Sequence, residues 1–380
     1  MSEYQYVAFR AIDQPVSADN LAYMQGQSSR AEITPWSFVN EYHYGGFRGN
    51  AVEMLRRGYD IHLHYANYGI RRLMIRLPQG LPDPQMLKSY LVADSLEFLA
   101  DKQGPGGCLS IDPYDESGDW DNLWDVGPLL DQLAPLRAEL LDGDLRPLWL
   151  AHLAVLCDSN HDPEVEREGP VPAGLTKLTP AQSALAEFYG LDQHLIAAAA
   201  AESPPLPAGA SSSAAKLQRE EWVGRQPVAS KNAWLTALMN DPASAVRAEM
   251  LAKYRSELVA PPWPVSHPNR TVAELKAAAK VVAEQAKQDA DVQAAKEREK
   301  RLRKIAESPT TTVREIETLV AKRSLKAYRQ AAELLVDLRD ALAGSDQADM
   351  AEKQARKLKS KYPKAHSLIR DLRERGFIPK

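Results

Sequence analysis

From Thr271 to Glu307 the chain runs 37 residues without a proline or a glycine, "TVAELKAAAKVVAEQAKQDADVQAAKEREKRLRKIAE". Nothing in it interrupts an α-helix, and at 1.5 Å per residue such a helix reaches roughly 55 Å. Leu275, Ala279, Val282 and Ala286 make a short apolar seam, but Asp289, Gln293, Lys296 and Lys300 continue the same positions. The heptad pattern is lost before three repeats, so a long coiled coil is not expected. Glu297–Arg301 and Glu299–Arg303 stand in the favourable order for i,i+4 pairs, each contributing roughly 0.2–0.5 kcal/mol. The expectation is a solvated strut between two packed bodies, which divides the chain.

A chain of 380 residues is too long for one ordinary core, and its 44% hydrophobic and 26% charged residues sit in the soluble globular range. The apolar run "LWLAHLAVLC" is too short to span a bilayer and reads as a buried helix. The start "MSEYQYVAFR" lacks the basic and apolar segments of a signal peptide. Cys108 and Cys157 form neither a disulfide framework nor a zinc-ligand spacing. These features set the expectation of a cytoplasmic protein without a membrane partner. Charge is unevenly spread: residues 271–380 carry a net of +8, and residues 101–170 a net of −12. Such belts attract each other, other copies or different partners, or are simply solvated faces.

In front of the long helix, "YQYVAFRAI" reads as a strand, and "SADNLAYMQGQ" as a helix with Ser17 available as its cap. "TPWSFVNEYHYGGFRGN", Thr34 to Asn50, reads as a strand broken at Gly45-Gly46. Phe38, Asn40, Tyr42 and Tyr44 take one face, and Val39, Glu41 and His43 the other. Asn50 to Glu53 has the spacing of a capping box opening a helix. "YDIHLHYANYGIRRLMIRLP" alternates as two strands joined by a tight turn, and "GCLSID" is a further short strand. After "DESGDWDNLWD" the strand pattern disappears. "GPLLDQLAPLRAELLDG" and "LRPLWLAHLAVLC" form one helical pair bent at Gly143, and "LTPAQSALAEFYG" with "LDQHLIAAAAAES" a second, opened by Thr179-Pro180. "SPPLPAGASSS" reads as a linker, and "APPWPVSHPN" separates further helices from the long one. Beyond it, Thr312 to Glu315 has capping-box spacing, and Leu325, Tyr328, Ala332, Leu335, Leu338 and Leu342 share a helical face.

The predicted architecture is an α+β N-terminal unit followed by mainly α-helical regions, a long charged helix and a small C-terminal helical bundle. Its segments are 1–115 (α+β), 116–202 (helices packed on it), 203–215 (linker), 216–260 (helical), 271–307 (long charged helix) and 310–380 (bundle).

The front, "YQYVAFRAIDQPVS…RAEITPWSFVNEYHYGGFRGN…YANYGIRRLMIRLP", resembles an uncharacterised family of bacterial proteins, and "LRAELLDGDLRPLWLAHLA" and "LAEFYGLDQHLIAAAAA" fit the same family. The tail, "YRQAAELLVDLRDALA…KLKSKYPKAHSLIRDLRERGF", resembles the helical end segment of some bacterial SWIM zinc-finger proteins, but this chain lacks the paired Cys and His of such a finger. The resemblance implies bacterial origin and architecture, and no reaction.

The chemistry-bearing candidates are few. His62 and His64 form an H-x-H pair, which on a strand puts both imidazoles on one face within reach of one metal ion, with His43, Glu41 or Asp60 as third ligand. Such a metal could activate water; the bland reading is two polar residues on the wet face of a hairpin. No nucleophile elbow or phosphate loop is present, and "QGPGGC" reads as a turn. The acids of "DPYDESGDWDNLWD" suit calcium but miss EF-hand spacing. Lys353, Lys357, Lys361 and Lys364, with the basic end of the long helix, form a basic patch open to nucleic-acid phosphates. Trp36, Tyr42, Tyr44, Phe47 and Arg48 are the candidate partner surface, provided the rings stay exposed. The function this points to is non-catalytic: a scaffold binding another protein, with no cofactor. A metal-dependent hydrolase at His62 and His64 is the alternative, and nucleic-acid association through the basic tail a third.

Overall fold

The computed structural model describes residues 3–113, 126–158, 160–207, 212–240, 245–257 and 262–379. The chain divides into two compact units, Met1–Ala283 and Glu284–Lys380.

The first unit is built on strands β1 (Gln5–Arg10), β2 (Glu32–Ile33), β3 (Ser37–Tyr42), β4 (Ile61–Ala66), β5 (Ile70–Leu77), β6 (Leu96–Ala100) and β7 (Gly107–Ile111). They form one antiparallel sheet in the order β2-β3-β1-β4-β5-β7-β6. Side chains alternate across it, so pairing Ala8 with Leu63 and Leu63 with Leu73 sends those residues to one face. Pairing Phe9 with His62 and His62 with Met74 sends those to the other.

Three short helices belong to this sheet region: α1 (Ala18–Gln25), α2 (Ala51–Arg56) and α3 (Pro84–Lys88). Ser17 occupies the N-cap position of α1 but makes no capping hydrogen bond with its side chain. Asn50 does cap α2, its Oδ1 accepting from Glu53 N at 3.0 Å. The box there is not reciprocal, because Glu53 turns to Arg57 and Asn50 N donates to Gln27 Oε1. Helices α1 and α2 lay Met24, Met54 and Leu55 on Val7, Phe9, Phe38, Met74 and Cys108, a small apolar core.

The opposite face is covered by α4 (Leu129–Leu133), α5 (Pro135–Leu141), α6 (Arg146–Leu156), α7 (Pro180–Phe188) and α8 (Gln193–Ala200). Ala8, Leu63, Leu73, Ile75 and Leu77 meet Leu130, Leu140, Trp149 and Leu185 there in the largest core. Each fully buried apolar side chain of this size contributes about 1.5–3 kcal/mol. Gly143, at φ +90°, turns the chain between α5 and α6, a left-handed conformation that glycine adopts without strain. Thr179 caps α7 in a complete box with Gln182.

Residues 203–207 are tied down: Ser203 Oγ donates to Pro172 O at 2.7 Å. The helix α9 (Ser212–Arg225) begins within the stretch that reads as a linker, and α10 (Val228–Asn240) and α11 (Val246–Glu257) follow. Trp222 stacks on Trp234 and meets Tyr254 edge-on, joining the three. The proline-rich segment before the long helix is more than a separator. It carries β9 (Val265–Ser266), which pairs with β8 (Val171–Pro172).

The long helix is real: α12 spans Val272–Glu307. Thr271 and Glu274 close a reciprocal capping box at its start. Val272, Leu275 and Ala279 are buried in the first unit, whereas residues 284–301 are exposed throughout. The expected pairs Glu297–Arg301 and Glu299–Arg303 do not form. Arg301 instead meets Asp337 at 3.0 Å, Arg298 meets Asp340 at 2.5 Å, and Arg303 meets Glu307. Arg303 takes the acid one turn ahead on its own helix, whereas Arg298 and Arg301 are drawn to acids on a packed neighbouring helix.

Those acids lie on α14 (Leu325–Leu342), which with α13 (Pro309–Ala321), α15 (Met350–Lys361) and α16 (His366–Glu374) forms the second unit's bundle. Ile305, Ile316, Leu335, Leu338, Leu358 and Leu372 are its core. Thr312 does not cap a helix: α13 already begins at Pro309, and Thr312 is buried within it.

Candidate functional site

Helices α1 and α2 cover only part of their sheet face. Past the end of α2's reach the sheet floor opens into a cleft of about 570 Å³, between the loop before α2 and the turn before β6. His62, His64, Arg72 and Ser110 lie along its floor, Phe47 and Met74 form an apolar wall, and Arg48, Asp94, Glu97 and Asp112 line the remainder.

The two histidines are buried, His62 at 1% exposure and His64 at 8%. His62 Nδ1 lies 3.0 Å from the Ala8 carbonyl, which can only accept, so the proton sits on Nδ1 and Nε2 keeps its lone pair. His62 also stacks on Phe9, ring centroids 4.0 Å apart. His64 Nε2 lies 3.1 Å from Gln5 Oε1. Gln5 Nε2 donates to Gly45 O at 2.7 Å, which fixes the amide so that its oxygen faces the imidazole. His64 therefore donates from Nε2 and carries its lone pair on Nδ1. Burial, then the neighbouring His64 ring and Arg72, bring His62 down to about 3, against the hydrogen bond it donates to the Ala8 carbonyl. Burial and then Arg72 bring His64 down to about 4, with Asp112 opposing. Both imidazoles are neutral at physiological pH.

Arg72 is bound through Nε, at 2.9 Å, and through Nη2 to Asp112 Oδ2, so its charge is locally compensated. Asp112 is held in turn by its backbone N–H on Ser95 O. Asp94 sits at φ +66° in the tight turn before β6, a conformation its short polar side chain tolerates. No hydrogen bond links either imidazole to Ser95 or Ser110.

The candidate metal ligands do not converge. Asp60 lies away from the histidines, accepting from the backbone N–H groups of Ile12 and Asp13 and pairing with Arg137 at 3.0 Å. Burial nevertheless keeps its carboxyl above the ordinary range. Glu41 points to the opposite sheet face, and His43 is exposed beside Tyr4. Among the described residues no three His, Cys, Asp or Glu side chains group as a metal site. The acidic stretch considered for calcium lies, from residue 114 to 125, outside the described residues.

The aromatic stretch divides. Tyr44 is 86% exposed and Trp36 43%, and Arg48 is exposed at the cleft rim. Phe47 is instead packed against Phe9 and Phe38, and Tyr42 is half-buried against the same core. Gly49 permits this close packing, since a Cβ there would meet the Phe47 ring at 2.5 Å. Gly45, at φ +74°, turns its carbonyl to Gln5 and so supports His64 indirectly.

In the second unit, Lys353 pairs with Asp349, Lys357 with Glu317, and Lys361 lies over the Tyr362 ring. Lys364 is exposed without a partner among the described residues. Arg72, Asp94 and Glu97 escaped the sequence reading, and Asp112 entered it only within the stretch considered for calcium. The H-x-H alternation points to the floor, but only strand pairing brings β5, β6 and β7 beside it. Among the described residues, no helix is long and apolar enough to cross a membrane. Compared with models of protein families, with curated proteins and with solved structures, the chain matches none.

Proposed function

We propose that the protein is a non-catalytic interaction protein, the α+β unit and the C-terminal helical unit each offering a binding surface to another protein. The observation that carries this reading is the cleft itself. His62, His64 and Arg72 on its floor are fixed by hydrogen bonds to their own scaffold, yet no nucleophile in it is joined to a base, the arrangement used in covalent and general-base catalysis. Fixed polar groups in the cleft, and exposed Tyr44 and Trp36 elsewhere on the same unit, suit recognition. Co-purification from the native source tests the reading. Substituting Trp36 and Tyr44 by Ala is expected to release one bound protein, and substituting Lys353, Lys357, Lys361 and Lys364 by Glu another. An unchanged set of companions in both variants would overturn it.

A metal-dependent hydrolase centred on His62 and His64 is a second reading, favoured by two free imidazole lone pairs on one strand face. The nearby Arg72 opposes a bound cation, and a third ligand would have to come from the substrate. Zinc dialysis after chelation separates the readings. One zinc per chain that is lost in His62→Phe establishes the hydrolase reading over the scaffold.

A further inference from the structure

We propose that α10 is a self-association face, pairing in register with α10 of a second copy of this chain about a two-fold axis that runs along the two helices. This surface is separate from the two invoked above. Among the described residues fourteen large apolar side chains stand exposed, and six of them fall between residues 217 and 239: Leu217, Val223, Val228, Leu235, Leu238 and Met239. Four of the six lie on α10, a helix of 13 residues none of which is buried. One flank of α10 is accounted for, with Trp234 stacked on Trp222 and Lys231 Nζ donating to Gly224 O at 3.0 Å. The opposite flank is not. Single scattered exposures are ordinary, but a cluster of them on one element marks a contact surface.

The residues of that flank select a second copy. Val228, Asn232, Leu235 and Met239 follow one another at the alternating four- and three-residue spacing of a coiled-coil seam. At 3.6 residues per turn they fall in a stripe about 60° wide. Val228 is 70% exposed, Leu235 60% and Met239 84%. Lys231 is the only charged residue of α10 and is already bound, so the seam carries no charge to choose an oppositely charged partner and none to repel its own copy. Asn232 decides between partners. It is exposed, and its amide has no hydrogen-bond partner among the described residues. In register each seam residue meets itself, and a carboxamide, holding both a donor and an acceptor, pairs with its own copy. One asparagine in an apolar seam fixes register and two-stranded pairing at a cost in affinity. The helix is only about 20 Å long, so the pair buries less than the roughly 1,200–2,000 Å² of a tight complex. The dimer should therefore dissociate in the micromolar range.

The test is sedimentation velocity of the full chain from low to high micromolar concentration. Wild type should pass from monomer to dimer as concentration rises. Leu235→Glu, chosen because its side chain is exposed, should weaken the association by about tenfold or more while leaving the circular dichroism spectrum unchanged. Asn232→Cys, mildly oxidised, should give a reducible dimer on a gel that wild type does not give. A wild type that stays monomeric throughout, or a dimer undiminished in Leu235→Glu, overturns the proposal. A dimer that is lost in Leu235→Glu but is not cross-linked through Asn232→Cys overturns the in-register pairing. A chain that stays monomeric yet captures another protein, and loses it in Leu235→Glu, assigns the face to that protein and overturns the second copy.

Discussion

The two faces of the N-terminal sheet are made by the same strands and solve different problems. Under α4 to α8, Ala8, Leu63, Leu73, Ile75 and Leu77 form an unbroken apolar floor. On the other side Val7, Phe9, Phe38 and Met74 are interspersed with Gln5, Asn40, His62, His64 and Arg72. All six residues of β4 are buried, so its histidines are not on a wet face. Burying polar groups is unfavourable unless each finds a partner. Here Ala8, Gln5 and Asp112 supply partners for one end of each group and leave the other end to the cleft. The apolar face stabilises the fold; the mixed face gives up some of that stability to hold acceptors in place.

The sharpest way to break this contrast is on β4 itself. Leu63→Ala deletes a fully buried side chain from the apolar floor and should cost about 2–5 kcal/mol in urea unfolding. A loss below about 1 kcal/mol, outside the usual range for such a cavity, would show that this face is not the stabilising one.

A second prediction concerns acid. His62 and His64 have folded values of about 3 and about 4 against an ordinary value of 6.5. Between those limits the unfolded chain binds more protons than the folded one, so stability is full above 6.5 and falls as the pH falls. The slope is up to about 1.4 kcal/mol per pH unit for each histidine. His152, lowered by burial, acts in the same direction, while Asp60, Glu139 and Glu168, raised by burial, act oppositely. The difference between wild type and His62→Phe isolates one group, since Phe keeps a ring against Phe9. Wild type should lose stability more steeply than the variant from pH 6.5 to pH 4.5. Parallel curves would mean that His62 is not held neutral.

How far the sequence discloses this can be followed residue by residue. Alternation marks β1, β3, β4, β5 and β7, and the Thr179 cap and the uninterrupted α12 are legible locally. The short strands β2, β8 and β9 are not. β8 and β9 join residues 171 and 266, and no local pattern anticipates a pairing across that distance. Thr312 to Glu315 mimics a cap because the motif spans four residues, whereas Ser308-Pro309 had already started the helix. The cleft is the least legible feature. Its floor depends on Gln5 orienting His64 and on β7 bringing Asp112 to Arg72, contacts made only after the sheet has closed.

The smallest effects are expected in the aromatic stretch, where neighbouring rings belong to different sides of the comparison. Phe47 is part of the mixed face, packed on Phe9 and Phe38 and only partly exposed, so Phe47→Ala should cost about 1 kcal/mol. Tyr44 stands 86% exposed, and Tyr44→Ala should change stability by no more than about 0.5 kcal/mol. If Tyr44 nevertheless proves as costly as Phe47 in urea unfolding, its ring is packed in solution and cannot serve as an anchor for a partner. If it is thermodynamically silent and its loss releases a bound protein, the stretch separates into a buried support and an exposed contact. Gly45 and Gly49 make that separation physical: one turns its carbonyl toward the Gln5 that orients His64, and the other leaves room for the ring of Phe47.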